Sequence, residues 1–572
     1  MHIKYKKAWK QNIIYEIYPR SFKDSNGDGI GDLPGIISKL DYLQSLGVTA
    51  LWLNPIYQSP DIDHGYDITD YYSIQPEYGT MKDFELLLEE VHKRDMGLIM
   101  DLVLNHTSDQ HPWFKASRSD KHSRYRDYYI WRPAGADGGP PNNWSSYLGK
   151  SAWTFDEENQ EFYMHLYNST QPDLNWDNPD LRESMYKMMR FWLDKGIDGF
   201  RIDAVNAISK DQTFPDSDLS RLQSNGEPFI KNGPYIHDYL QEMNEKVFSQ
   251  YDIFTAGEMS YISEQDVLDY THPDRKELSM VISPEASTLG NLPEDEFQQK
   301  EWTLDDLREV MQKWQKNVGD PGGWFGLYFS NHDQPRLVNT FGNPVEYRVQ
   351  SAKMIGTMLH TLKGTPFILQ GDELGMTNNP KLHSIDDIKE QQALAYYDVM
   401  VNERGEDEEK IMQRIRRKAR DHARTPMQWD ESNHAGFTTG EPWLPANPNY
   451  KEVNVKEQES DPYSVLNYYR RLIEIRKNNP VLTYGEYKAI LTDHSQIFAY
   501  LRLFMDQTWL VLLNFSEEEA AYSLDPNDIE RLADARLLIG NYKESNEIID
   551  LKSGNLKPYE AIVLAPPLHF HE

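Results

Sequence analysis

The stretch GFRIDAVN, residues 199–206, sets an arginine and an aspartate two positions apart inside an otherwise apolar run. Side chains alternate across a β-strand, so Phe200 and Ile202 pack one face while Arg201 and Asp203 leave the other together. A strand that only filled a core has no use for that pair. Short apolar runs of the same kind recur along the chain: NIIYEIYP (12–19), ALWLNPI (50–56), GLIMDLVLNH (97–106), GFRIDA (199–204), IFTAGE (253–258), LSMVIS (278–283), GLYFSNHD (326–333) and GTPFILQGDE (364–373). Between them lie amphipathic segments such as LPGIISKLDYLQSLG, MKDFELLLEEVHKRDMG and LRESMYKMMRFWLDKG. Each has apolar residues at helical spacing and ends in Gly, as a helix C-terminus prefers. Strands alternating with helices allow a doubly wound open sheet or a (β/α)8 TIM barrel. The number of runs and their polar C-terminal ends predict the barrel.

The third and fourth runs are separated by about 90 residues, a connection long enough to be functional. Much of it is Tyr, Trp, Gly, Pro and Asn, as in RYRDYYIWRPAGADGGPPNNW. Residues 107–178 read as a small inserted domain over the barrel mouth. The barrel itself then comprises 1–106 and 179–485. From 486 to 572 the pattern turns to period-two strands, SQIFAYLRLF, TWLVLLNFS and YEAIVLAPP, which predict a separate antiparallel C-terminal β-sandwich domain.

Composition narrows the function. The chain has 572 residues, a formal net charge of −32 and no cysteine. The charge repels nucleic acid and favours neutral or cationic ligands. The one dense basic run, RIRRKAR, is explained by a solvated helix face. Absence of cysteine excludes disulfides, thiolate metal sites and thiol catalysis. The start, MHIKYKKAWKQNIIYEIYPR, lacks the apolar core of about 7–15 residues that a signal peptide needs. No apolar run reaches the roughly 18 residues of a membrane span. A cytoplasmic protein without membrane or nucleic-acid partners is expected. The aromatic share of 12% suits sugar stacking as well as core packing.

Barrel enzymes carry their chemistry at the C-terminal ends of the strands. Those ends supply Asn105, His106, Arg201, Asp203, Glu258, His332 and Asp333. Two carboxylates facing one centre are the minimum for glycoside hydrolysis, one ionised to attack and one protonated to donate. Arg201 is expected to hold Asp203 ionised and lower its pKa. Glu258 follows the apolar FTAG, so burial is expected to raise its pKa and suit it to acid/base work.

These strings resemble the signatures of glycoside hydrolase family 13, the α-amylase superfamily. DLVLNH (101–106), GFRIDAVN (199–206), GEM (257–259) and NHDQPR (331–336) match its four main regions in order, and QPDLNW (171–176) a fifth. HGYDITDYY, KGTPFILQGDELGMTN and RDHARTPMQWD are similar to the oligo-1,6-glucosidase and α-glucosidase subgroup. The resemblance implies a nucleophile at Asp203, a general acid/base at Glu258 and a transition-state carboxylate at Asp333. It implies that Arg201 orients the nucleophile and that His106 and His332 bind hydroxyls of the terminal glucose. Asp67 and Arg420 would form a pair closing that subsite, and Tyr66 a stacking face. Double displacement would retain configuration, and a sugar that beats water would be glucosylated instead.

Ala204 follows the nucleophile. The resemblance links Val at this position to α-1,6 cleavage and Ala or Thr to α-1,4, which points to maltose-type substrates. Two departures from the subgroup stand against a simple transfer: MVISPEAST places Pro284 and Ala286 where rings are usual, and Leu148 replaces a common Phe. The expected activity is therefore an exo-acting α-glucosidase on maltose and short α-1,4-gluco-oligosaccharides. An oligo-1,6-glucosidase is the alternative, then a trehalose-6-phosphate hydrolase, which the acidic chain disfavours. A non-catalytic barrel would have no reason to keep all three acids.

DSNGDGIGD (24–32) presents Asp24, Asn26, Asp28 and Asp32 with the Ile30 carbonyl between them. Alternate oxygen ligands with glycines for a tight turn suit a structural Ca2+ or Mg2+. Gly35 stands where a complete EF-hand has Glu. A turn rich in Gly, Asn and Asp without metal is the other reading.

Overall fold

The structure, a computed structural model, describes residues 9–532, 534–542 and 549–567. Residues 1–8 of the N-terminal string and of the barrel range, and 533, 543–548 and 568–572 of the C-terminal range, lie outside these. Eight parallel strands form the centre: β1 Ile14–Ile17, β2 Ala50–Leu53, β3 Gly97–Val103, β4 Gly199–Asp203, β5 Phe254–Glu258, β6 Met280–Ile282, β7 Gly326–Leu327 and β8 Thr365–Leu369. They pair in the order β6-β5-β4-β3-β2-β1-β8-β7. A parallel bridge from Val281 to Phe325 joins the two ends and closes the sheet. The predicted barrel is thus observed, and no open edge remains for the doubly wound alternative.

Alternation within the strands explains how polarity changes along the barrel axis. Ile14, Ile99, Phe254 and Ala256 point inward among the apolar residues that plug the lower barrel. Residues two positions further on share that face, and they are Glu16, Asp101 and Glu258. Register fixes their levels: Ile99 and Phe254 flank Gly199, and Asp101 lies beside Arg201 one pleat higher. Phe200 and Ile202 point outward into the layer shared with the helices. The strand reading of 199–203 therefore holds, with every residue buried.

Helices over Met81–Lys93 and Pro179–Lys195 begin at Thr80 and Asn178, whose side chains accept backbone N–H bonds. Gly196 and Gly47 end helices in the left-handed conformation, as predicted. Gly97 does not; it opens β3, because its helix already stops at Lys93. The segment 33–47 splits into Leu33–Ile37 and Leu40–Leu46. The predicted strand 326–333 pairs only at Gly326–Leu327, and the rest turns into the mouth.

Between β3 and β4, strands Trp131–Arg132, Trp153–Asp156 and Glu161–Met164 form an antiparallel sheet. Its apolar cluster also takes in Ala207, Phe214 and Ile230. The layer over the mouth therefore draws on residues after β4 as well as on 107–178. Among the described residues the C-terminal part holds a five-stranded antiparallel sheet: β9 Glu486–Ile490, β10 Ile497–Phe504, β11 Gln507–Asn514, β12 Arg536–Gly540 and β13 Ala561–Ala565. Along β10, Phe498 and Tyr500 face the main core, while Ile497, Ala499 and Leu501 face a second cluster. That cluster reaches a two-stranded sheet, Ala520–Ser523 with Ser553–Leu556. Among the described residues no helix is long and apolar enough to cross a membrane.

Candidate active site

The C-terminal mouth of the barrel opens into a cavity of about 570 Å³. Arg201 is its fully buried foundation. Nη1 donates to Asp101 Oδ1 at 2.6 Å and to Asp203 Oδ1 at 2.8 Å. Nη2 meets Glu258 Oε2 at 2.5 Å as an ion pair, without hydrogen-bond alignment. One guanidinium fork thus gathers carboxylates from β3, β4 and β5.

Burial decides the ionisation of the pair. It pushes Glu258 upward, as expected from sequence; Arg201 opposes this, and Asp203 and Asp333 reinforce it. It also pushes Asp203 upward, against the expectation that Arg201 would depress it. The guanidinium does lower Asp203, but its charge is shared with Asp101 and Glu258, so desolvation wins. Asp333 behaves differently. Burial is outweighed there by Arg420, His332, Arg424 and Arg201, which hold it far below the usual carboxylate range. Arg424 Nη2 donates to Asp333 Oδ1 at 2.7 Å and Arg420 Nη1 at 3.2 Å.

Tyr66, His106, Asp203, Ala204, Glu258, Asp333 and Arg420 all line the cavity. Three other predicted residues do not. Arg201 lies beneath. His332 is fully buried under Tyr66, their rings stacked at 5.4 Å and 9°. Its Nδ1 meets Glu16 Oε1 at 2.6 Å and its Nε2 the Tyr66 hydroxyl at 2.8 Å. Burial lowers its pKa to about 3, so the ring is neutral. Asp67 does not pair with Arg420. It accepts from Ser59 Oγ and from the Ile62 and Asp63 amides, bracing the loop that carries Asp63 and Tyr66. Asp63, which sequence reasoning passed over, is the loop carboxylate that reaches the cavity.

Other lining residues were also missed: Tyr147, Tyr167, Lys231 and Arg424. Arg424 stands in the quoted string RDHARTPMQWD, and Glu16 is the odd acid in NIIYEIYP. Tyr147, Tyr167 and Lys231 carry no local signal; the inserted layer and the segment after β4 bring them in. Tyr147 and Tyr167 stack at 4.9 Å and 22°. Pro284 lines the cavity, whereas Ala286 is buried in the core. Leu148 borders an adjoining recess.

The loop 24–32 folds as a chain of side-chain-closed turns. Asp24 Oδ1 accepts from the Asn26 and Gly27 amides and Oδ2 from Gly29. Asn26 Oδ1 accepts from Asp28, and Asp28 Oδ1 from Ile30. Asp32 caps the following helix through the Gly35 amide at 2.6 Å. Gly27 and Gly29 take φ of 87° and 92°, which non-glycine residues resist. Among the described residues no group of three or more His, Asp or Glu side chains is placed to share an ion.

A closed (β/α)8 barrel with a guanidinium-bridged carboxylate pair and a third, ionised carboxylate at its mouth defines a barrel glycosidase. Residues 16–485 match the model of the α-amylase catalytic domain. The chain is 52% identical over 559 residues to an oligo-1,6-glucosidase of Bacillus cereus, covering 98% of this chain and 99% of that one. It is 50% identical over 557 residues to an oligo-1,6-glucosidase of Parageobacillus thermoglucosidasius, covering 97% and 98%. The crystal structure of Bacillus licheniformis trehalose-6-phosphate hydrolase superposes with a TM-score of 0.91 at 46% identity, covering 97% and 99%. The chain belongs to the α-amylase family of glycoside hydrolases, in its oligo-1,6-glucosidase and α-glucosidase subgroup.

Proposed function

We propose that this enzyme is an exo-acting, retaining α-glucosidase that removes glucose from the non-reducing end of short gluco-oligosaccharides, with α-1,6 links as its main substrate. The observation that carries it is the sharing of Arg201 by Asp203 and Glu258. Two carboxylates on one guanidinium suit the short separation, about 5–5.5 Å, of retaining enzymes. An Asp203 oxygen attacks the anomeric carbon as the glycosidic C–O bond breaks, and Glu258 gives its proton to the departing oxygen. Asp203 loses its charge in the glucosyl-enzyme, so one of the fields that held the proton on Glu258 disappears. Glu258 then takes a proton from water, the oxygen of that water bonds to the anomeric carbon, and Asp203 is released. A sugar hydroxyl in place of water gives transglucosylation.

The α-1,6 preference draws on the relatives named oligo-1,6-glucosidase at 50–52% identity. It displaces the maltose preference expected from Ala204, which remains the second reading because that side chain leaves the acceptor side open. A phosphorylated substrate is disfavoured: Asp63, Asp203, Glu258, Glu285, Glu296, Asp333 and Glu390 outnumber the cations lining the cavity. The test is to offer isomaltose, maltose, sucrose and trehalose-6-phosphate and follow glucose release and its anomer. Isomaltose should be cleaved fastest, with α-glucose appearing first and Asp203→Asn inactive. Initial β-glucose would overturn the mechanism, and faster release from maltose the linkage.

We also propose a structural Ca2+ held by Asp24, Asn26, Asp28, Asp32 and the Ile30 carbonyl, an oxygen set suited to a hard cation. Asn26 and the carbonyl are needed because acids alone do not converge. EDTA should lower the melting temperature by several degrees, reversed by Ca2+; an unchanged melting temperature removes the ion from this loop.

A further inference from the structure

Lys231 follows the short helix Glu227–Ile230, and its side chain lines the main cavity. The residue is only 7% exposed. Among the described residues its ammonium hydrogen-bonds one group, Asn206 Oδ1 at 3.5 Å, and lies 5.6 Å from the centre of the Tyr147 ring. Among the described residues it has no ion pair. An ammonium carries three donors, and burying a charge with donors unspent is costly. That cost is offset when a ligand brings oxygen atoms to it.

The backbone fixes Lys231 firmly. Its amide donates to Glu227 O at 3.0 Å, and the Asn232 amide donates to Asn206 O at 2.8 Å. A Cβ on Gly233 would lie 2.1 Å from Ser209 O, so this segment is pressed against the chain that follows β4. Asn206 Nδ2 donates to Ser260 O at 3.1 Å, extending the clamp to the chain after β5.

The carboxylates facing Lys231 are Glu258 first, then Asp203, Glu227 and Glu296, and Lys210 is the cation that couples to it. Asn206, which holds the ammonium, is itself tied to Ser260 O two residues beyond Glu258, so Lys231 lines the cavity on the side of the proton donor. The oxygen that receives the Glu258 proton belongs to the sugar that leaves.

We propose that Lys231 recognises that leaving sugar: its free N–H donors bind hydroxyl oxygens of the residue next to the cleaved bond, favouring hydroxylated aglycones over aryl ones. This rests on the glucosidase reading above. Glu227 and Glu296 beside the ammonium suit a neutral polyol rather than an anion.

The experiment compares Lys231→Met and Lys231→Gln with wild type on isomaltose, maltose and 4-nitrophenyl α-glucoside between pH 6 and 9. Losing a hydrogen bond from a charged donor should raise the disaccharide KM about 10–100-fold in Lys231→Met. Lys231→Gln, which keeps an N–H donor, should lie between. The aryl-glucoside KM should stay near wild type, while any change in kcat from the lost charge beside Asp203 and Glu258 falls on both substrate classes alike. In wild type, disaccharide KM should climb above pH about 8, where buried Lys231 loses its proton, and that climb should vanish in Lys231→Met. An equal rise in KM on both substrate classes, or no rise on either, overturns the assignment. A wild-type enzyme that frees no glucose from any of the three instead overturns the glucosidase reading and the inference with it.

Discussion

Ala204 sits at φ 40° and ψ 39°, a left-handed conformation that a β-branched residue resists. Its amide points to Glu258 Oε2 at 3.5 Å. Ala204→Val therefore acts twice. Backbone strain should lower stability by about 1–3 kcal/mol, read as a drop in melting temperature. The two added methyl groups narrow the route of an α-1,4-linked ring, so the ratio of isomaltose to maltose cleavage should rise. An unchanged ratio would mean that linkage is chosen elsewhere in the cavity. At Glu258 the proton is the issue. Glu258→Gln should cut kcat on disaccharides by about 10²–10⁴-fold, while glucosylation by 4-nitrophenyl α-glucoside suffers less, because that phenolate leaves unprotonated. A burst of 4-nitrophenol would report it; equal losses on both substrates would deny Glu258 the role of acid. The three acids were legible in the sequence because each closes an apolar run, although only Asp203 and Glu258 end a paired strand. The direction of the Asp203 shift was not, since burial and the sharing of one guanidinium among three carboxylates exist only after folding. The real partner of Arg420 was hidden for the same reason: Asp333 comes from a different strand end.

At the scale of the element, β4 depends on having no side chain at its first position. Gly199 adopts φ 148°, and a Cβ there would lie 1.9 Å from Phe254 O on the neighbouring strand. Neither the backbone of β5 nor the register that sets Arg201 beside Asp101 can give way cheaply. Gly199→Ala should cost about 2–4 kcal/mol and lower activity with stability, because Arg201 and Asp203 ride on the same strand. Thermal melting and kcat measured together check this; full activity at a reduced melting temperature would show that the strand end is positioned independently of its start. The eight strands were readable from apolar runs, since inward and outward faces are both buried in a parallel barrel. Their ends were less so. The seventh run is apolar to Phe329 but pairs only to Leu327, because the chain then turns so that the Asp333 amide can meet Asn331 Oδ1 at 2.7 Å. The inserted layer was read as 107–178, yet its core borrows Phe214 and Ile230, which lie beyond a barrel strand and have no periodicity linking them to it.

Across the whole molecule, the join between barrel and C-terminal sheet includes a buried arginine, Arg502, at a helix end that a second, Arg476, holds from within the barrel. The helix Arg348–Thr361 leaves carbonyls without intrahelical partners at its C-terminus. Arg476 Nη1 donates to His360 O at 2.7 Å and Leu362 O at 2.9 Å. Arg502, on the barrel-facing side of β10, donates to Thr361 O, to Leu482 O at 3.1 Å and to Gly485 O at 2.7 Å. The Tyr500 hydroxyl, on the same face, meets Thr361 Oγ1 at 2.6 Å. Cations at a helix C-terminus are favoured by the aligned peptide dipoles, which helps to offset their burial. Burial still lowers Arg502 to about 10 and Arg476 to about 9, a sign of how dry the seam is. Arg502→Met keeps most of the apolar stem but strands three buried carbonyls, so it should cost roughly 3–5 kcal/mol. The loss falls on the seam and not on the mouth. Calorimetry should therefore show the C-terminal sheet melting ahead of the barrel, with early proteolytic cleavage near residues 484–486 and kcat at 25 °C unchanged. A single cooperative transition shifted as a whole would show that the two cores are bound mainly by the apolar contacts of Phe498, Tyr500 and Trp509 and that the arginine clamp is secondary.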